Sequence, residues 1–142
     1  MRKIRIKIKA DKLPKYQTPQ SSGCDLYAQL PHAVTLLPLD RITIPTGVSI
    51  QLPEGYEAQV RGRSGLTSRN GLVVPIGTID MDYRGEIGVT IINLSREPYT
   101  IQVGERIAQL VICPVVQADW NKVETLDDDT ERGVNGFGHT GK

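Results

Sequence analysis

The chain has 142 residues, 39% of them hydrophobic, which suits one globular domain burying about 68–70% of its unfolded surface. Its 17 Lys and Arg against 16 Asp and Glu leave a formal net charge of +1; this excludes the basic excess of a nucleic-acid binder but not a small anionic ligand held by a few local cations. The two cysteines, Cys24 and Cys113, are too few for a multi-bridge secreted scaffold, no charged-then-apolar leader opens the chain, and no apolar run approaches the roughly 18 residues of a membrane span. The expectation is a cytoplasmic protein (nuclear also, in a eukaryotic source) with free thiols and neither membrane nor nucleic-acid partners.

Residues 2–9 alternate basic residues with Ile, the pattern of a strand with one solvated face. Residues 11–22 carry Pro14, Pro19, Gln and Ser and read as an extended loop. Strands follow at 24–28 and 33–37, with Pro38-Leu39-Asp40 turning the chain. Residues 41–50 are strand again, interrupted at Pro45, where a proline marks an edge or bulge. After the Pro53-Glu54-Gly55 turn come strands at 56–60, 72–74, 87–92, 99–103 and 106–112. Short strands at this spacing, punctuated by Pro and Gly, predict an all-β sandwich or barrel. One short helix is expected, capped by Ser64 and ended by Asn70-Gly71.

Four segments carry chemistry. Residues 77–86 hold Asp80, Asp82, Tyr83, Arg84 and two glycines between apolar runs, as a hairpin would. Strand alternation there sets Asp80, Asp82 and Arg84 on one face and Ile79, Met81 and Tyr83 on the other. Arg63-Ser64-Gly65 combines a cation, a hydroxyl and a close-approach glycine at a helix start, where free N–H groups attract phosphate oxygens; an ordinary Ser cap is the alternative. Asp25 opens a strand, as turn chemistry or as a ligand carboxylate, and Gln109 interrupts an apolar strand, serving either the core or a ligand. The Gly-rich tail contains Arg132 and the only phenylalanine, Phe137, beside Gly138; it is either a disordered end or a flexible lid. His32 and His139 stand apart from each other and from the cysteines, so no zinc spacing exists; neither a nucleophilic triad nor a P-loop is present.

In order, Ser22-Gly23-Cys24-Asp25-Leu26-Tyr27-Ala28, Arg63-Ser64-Gly65-Leu66, the 77–85 segment, Gly104-Glu105-Arg106-Ile107-Ala108-Gln109-Leu110 and the 132–141 segment resemble the five motifs of the trimeric dUTP diphosphatases (dUTPases). The resemblance spans nearly the whole chain. It implies a jelly-roll-like β-barrel or sandwich, with a β-core over 1–118 and a flexible C-terminal arm over 119–142 closing a neighbouring subunit's site. It implies a homotrimer with three shared active sites that hydrolyse dUTP to dUMP and pyrophosphate with Mg²⁺. By motif position, Asp80 would be the general base and accept from the sugar 3′-OH, and Tyr83 would lie under the deoxyribose. Arg63, Ser64, Gly65 and Gln109 would hold phosphate oxygens, Arg132 would meet the terminal phosphate, and Phe137, with Gly138, would cover the uracil. Backbone groups of Val74, Thr78, Ile79 and Gly88 would read the uracil edge, and Asp25 would reach the metal through water. The chain departs from the family in its short 72–76 segment, which lacks the usual Asn, and in Cys24, a packing change.

Two rivals share the scaffold. A dCTP deaminase carries Ser where Gly65 stands and a catalytic Glu in the central segment, so Gly65 and Asp80 favour the diphosphatase. A non-catalytic nucleotide-binding protein is disfavoured because every catalytic position is occupied.

Overall fold

The structure, a computed structural model, describes residues 3–127 and 129–134. Among these residues eleven strands and one helix follow in order. The strands are β1 Lys7–Lys9, β2 Gly23–Tyr27, β3 Val34–Leu36, β4 Arg41–Pro45, β5 Ser49–Gln51 and β6 Tyr56–Arg61. Helix α1, Ser64–Asn70, precedes β7 Leu72–Val73, β8 Gly77–Ile79, β9 Gly88–Asn93, β10 Tyr99–Ile101 and β11 Arg106–Pro114. A four-stranded sheet, β2-β11-β6-β8, faces a three-stranded one, β4-β9-β7, and the pairs β1-β5 and β10-β3 extend the walls. Every strand pairing among the described residues is antiparallel, and this is the expected all-β jelly roll with one short helix.

Alternation builds the core. Along β9, Val89, Ile91 and Asn93 point inward, and along β6, Ala58 and Val60 do the same. They meet Leu26, Ile44, Ile101 and Ile107, all fully buried. In β11 the register slips between Arg106 and Ala108, a bulge at which the successive residues Ile107 and Ala108 are both buried. The Pro38 turn forms as expected: Asp40 N–H donates to Leu37 O at 3.0 Å, with Leu39 in the left-handed region at φ 70°.

Asn93 ties three segments together. Its Nδ2 donates to Leu36 O (3.0 Å) and Glu97 O (2.8 Å), and its Oδ1 accepts from Ser95 N–H (3.0 Å) and Ser95 Oγ (2.7 Å). Asn93→Ala should therefore destabilise the protein by about 3 kcal/mol, since buried partners are left unpaired. Urea unfolding at fixed protein concentration checks this; a loss below about 1 kcal/mol would show the partners rehydrate instead.

Three expectations need correction. Of the expected 2–9 strand, only Lys7–Lys9 is strand among the described residues 3–9, because its partner β5 offers three residues of register. Ser64 is the first helical residue rather than the cap: Arg63 takes the N-cap place in extended conformation (φ −96°, ψ 127°), and no side chain caps the end. The C-terminal end forms as read, with Gly71 at φ 66° donating to Leu66 O and Thr67 O. The 77–86 stretch is not a hairpin, since β8 pairs with β6 while β9 pairs with β4 and β7 in the other sheet. It is a crossing between sheets, and strand alternation stops at Ile79. Tyr83 N–H donates to Asp80 O at 3.1 Å, closing a turn over Met81 and Asp82, so Asp80, Asp82 and Arg84 do not share a strand face.

Candidate active site

The first cluster forms where β2, β6 and β11 lie side by side. Gln109 on β11 faces Asp25 on β2 and Arg61 on β6. Its Nε2 donates to Gly62 O at 2.8 Å, leaving a second N–H for a ligand oxygen. A Cβ on Gly23 would collide with the Gln109 amide oxygen, so the glycine gives that side chain its room. Asp25 is buried, its side chain 10% exposed. Its Oδ1 lies 3.4 Å from Arg63 Nε, and its Oδ2 lies 3.2 Å from Arg106 Nη1 and accepts from Gln17 Nε2 at 2.7 Å. Arg63 Nη1 also donates to Arg106 O at 3.0 Å.

Arg63 leads directly into α1. Leu66 and Thr67 N–H both donate to Arg63 O, at 3.1 and 3.2 Å, so the N–H groups of Ser64 and Gly65 have no intrahelical partner. Ser64 is exposed. Nothing in the chain demands a glycine at 65: a Cβ there would meet only Arg69 Nη2, at 3.8 Å. The open space, two amides, a hydroxyl and a guanidinium fit a phosphate group.

The second cluster surrounds Asp80, which is exposed and lines an open groove of about 580 Å³ with Tyr56, Glu57, Met81, Asp82 and Gln117 among others. Tyr83 is clamped: its hydroxyl donates to Glu86 O at 2.9 Å, and its ring leaves no room for a Cβ on Gly85. At 43% exposure it offers an apolar platform. Arg84 turns back on the crossing, its Nη1 donating to Met81 O (2.6 Å) and Tyr83 O (2.9 Å). Thr78 and Ile79 lie on β8, an edge strand of its sheet, where main-chain groups on the outer side have no strand partner. Val74 packs against Gly62, with its N 3.8 Å from where a Gly62 Cβ would stand. Gly88 opens β9, and the close approach of Thr43 Cγ2 (2.7 Å from a Cβ there) already explains the glycine.

The two clusters are separated by the register of β6. Ala58 faces Ile79, so Asp80 stands level with Glu57, whereas Gln109 faces Arg61. Four residues of strand are about 13 Å, and two strand spacings add about 10 Å sideways. One chain thus keeps Asp80 out of reach of a phosphate held at Ser64 and Gln109.

Among the described residues no group of three His, Cys, Asp or Glu is placed to hold a metal. The donor set suits a Mg²⁺ carried mainly by substrate oxygens. Asp25 Oδ2 already accepts from Gln17 and Arg106, while among the described residues Oδ1 has only the 3.4 Å contact to Arg63, which leaves acceptor capacity on Oδ1 for a metal-bound water. Arg132 is exposed; Phe137 and Gly138 lie outside the described residues. Gln17 and Arg106 were given no role by the sequence reading. Gln17 sits in a loop without periodicity, and only the fold carries it to Asp25. Cys24 is buried, with Sγ 3.4 Å from Leu110 O, and burial raises its pKa; Cys113 is free as well. Tyr99 donates to Glu105 Oε1 at 2.6 Å, steadying the turn before β11; burial first, then that carboxylate, push its phenol up to about 12.

An all-β jelly roll bearing a cluster fit for phosphate and a separate exposed carboxylate suits a nucleotide-handling protein, and comparison narrows the class. Residues 9–141 match the dUTPase family, and the chain belongs to that family. The deoxyuridine 5′-triphosphate nucleotidohydrolase of Ehrlichia canis is 57% identical over 132 residues, covering 91% of this chain and 86% of that one. Its namesake in Fusobacterium nucleatum is 48% identical across the full length of both. The Staphylococcus bacteriophage 80alpha dUTPase with dUPNHPP superposes with a TM-score of 0.89 at 29% identity, covering 97% of this chain and 99% of that one. A mutant dUTPase of phage phi11, solved to show coordination of a structural Mg(II) ion, has a TM-score of 0.80 at 25% identity, covering 87% and 99%. No helix among the described residues is long and apolar enough to cross a membrane.

Proposed function

We propose that this chain hydrolyses dUTP to dUMP and pyrophosphate in the cytoplasm, at sites shared within a homotrimer, with Asp80 as the base that aligns the attacking water. The water oxygen bonds to the α-phosphorus as the bond to the β-phosphate oxygen breaks in line; the water's proton passes to Asp80 and pyrophosphate leaves. Arg63, the amides of Ser64 and Gly65, the Ser64 hydroxyl and the second N–H of Gln109 hold the leaving phosphates. Asp25 would hold a substrate-carried Mg²⁺ through water, and the ion would supply charge neutralisation there.

The observation that carries this reading is the separation of Asp80 from the phosphate cluster along β6. Each chain has both halves of a site and joins neither to the other, so a second copy supplies the missing half. The arm, residues 119–142, crosses to a further copy, bringing Arg132 to the terminal phosphate and Phe137 and Gly138 over the base. The 1–118 region forms the core.

Selectivity follows from the same parts. A ribose 2′-OH pressed on the Tyr83 ring loses water partners and gains none, costing about 1–3 kcal/mol. Main-chain groups of Val74, Thr78, Ile79 and Gly88 read the uracil edge, and cytosine would leave them mismatched, worth roughly 10⁴-fold. Pyrophosphate release from dUTP and the four normal dNTPs, with and without Mg²⁺, tests the reading. Release from dUTP alone, dependent on Mg²⁺, is expected. Ammonia from dCTP, or dUTP binding without turnover, would replace it with a deaminase or a binding protein.

A further inference from the structure

Gln17 lies in the loop between β1 and β2, outside every segment given a role in the reaction. The loop is fixed there by its main chain: Asp25 N–H donates to Lys15 O at 2.9 Å, and Lys15 and Asp25 form an isolated bridge. From this anchor Gln17 Nε2 reaches Asp25 Oδ2 at 2.7 Å, the shortest contact the carboxylate makes. Arg106 Nη1 shares that oxygen at 3.2 Å, and Arg63 Nε meets the other at 3.4 Å.

We propose that Gln17 is a positioning residue, which sets the rotation of the Asp25 carboxylate so that Asp25 in turn holds Arg63 toward the start of α1. The inference rests on the reading of Arg63 as a phosphate-binding cation. The distances give the mechanism. Two guanidiniums compete for one carboxylate, and planar guanidinium prefers a two-oxygen grip. Gln17 ties Oδ2 down from the loop side. Without it, Asp25 is free to turn both oxygens to Arg106, and its 3.4 Å contact to Arg63, the longest of the three, is the first to be lost. Arg63 would keep only its bond to Arg106 O and would spread over more rotamers. The side chain is 29% exposed, which leaves it a path to swing toward solvent.

Removing the donor should weaken recognition of the phosphate tail and leave recognition of the nucleoside alone. Calorimetric titration of the whole protein with an imido analogue of dUTP and with dUMP separates the two. In Gln17→Leu the analogue should bind about 5–20-fold more weakly, the loss expected when one bond to a charged network goes, and dUMP should change by less than about twofold. Gln17→Lys, which returns a donor to Asp25, should restore analogue binding to within about threefold. In an Arg63→Gln background, Gln17→Leu should add less than about twofold, because the side chain it steadies is gone. Equal weakening of dUMP and analogue, full additivity with Arg63→Gln, or unaltered analogue binding would each overturn the proposal. The failures are distinguishable. If Arg63→Gln leaves analogue binding intact, the phosphate role of Arg63 is wrong and the inference falls with it; if Arg63→Gln weakens binding and Gln17→Leu does not, only the inference falls.

Discussion

Asp80→Asn should lower kcat by about 10³-fold or more while changing the affinity for a non-hydrolysable dUTP analogue by less than about threefold. The substitution preserves shape and hydrogen-bonding capacity but removes the negative charge and the basic oxygen, so what is lost is the base and little else. The site favours a clean experiment. Asp80 is exposed and makes no ion pair among the described residues. Folding should therefore be unaffected within about 0.5 kcal/mol. Single-turnover kinetics with saturating dUTP isolate the chemical step, and thermal unfolding controls for structure. If affinity collapses with kcat, Asp80 is holding the sugar rather than activating water. If kcat survives, the base lies elsewhere, with Glu54, Glu57 and Asp82 the other carboxylates lining the same groove.

What the sequence made legible follows from which forces are local. Strand alternation along 88–93 and 56–61 is written in Val89, Ile91, Ala58 and Val60, and burial against the opposite sheet simply enforces it. The Gly71 helix end was equally readable, since a left-handed residue there is a local requirement. Topology was less so. The charged 77–86 segment has turn glycines and flanking apolar runs like any hairpin, and only long-range pairing decides that β8 joins β6 while β9 joins β4. The same limit applies to Gln17. A glutamine in a Pro-containing loop has no pattern to betray it, and its bond to Asp25 exists because the loop is bridged to β2 at Lys15. The motifs name Arg63, Gln109 and Asp80 one by one, whereas their separation along β6, on which the proposal of a second copy rests, comes only from the register.

Deleting residues 131–142 should reduce kcat/KM for dUTP by roughly 10²–10³-fold and leave the β-core folded. The deletion removes Arg132 and Phe137, one charge-assisted contact at about 1.5–3 kcal/mol and one stacked ring at about 1–3 kcal/mol. At 1.4 kcal/mol per decade the pair accounts for that loss. The core should not notice, because every buried side chain among the described residues lies at or before Val111, and the last main-chain tie among them from this region to the barrel is Val115 N–H to Gly55 O at 2.9 Å. Beyond it Val116, Trp120 and Leu126 are 94, 89 and 85% exposed in a single chain, an apolar series that a lone protomer leaves in water and a neighbouring copy would cover. For that reason the cut is placed after residue 130, where it spares this series and tests only the segment that would reach the substrate. Sedimentation should give the same assembly for the shortened and full-length proteins. Unchanged turnover would make the last twelve residues a passive terminus, and loss of assembly would make them part of the interface instead of a cover for the bound nucleotide.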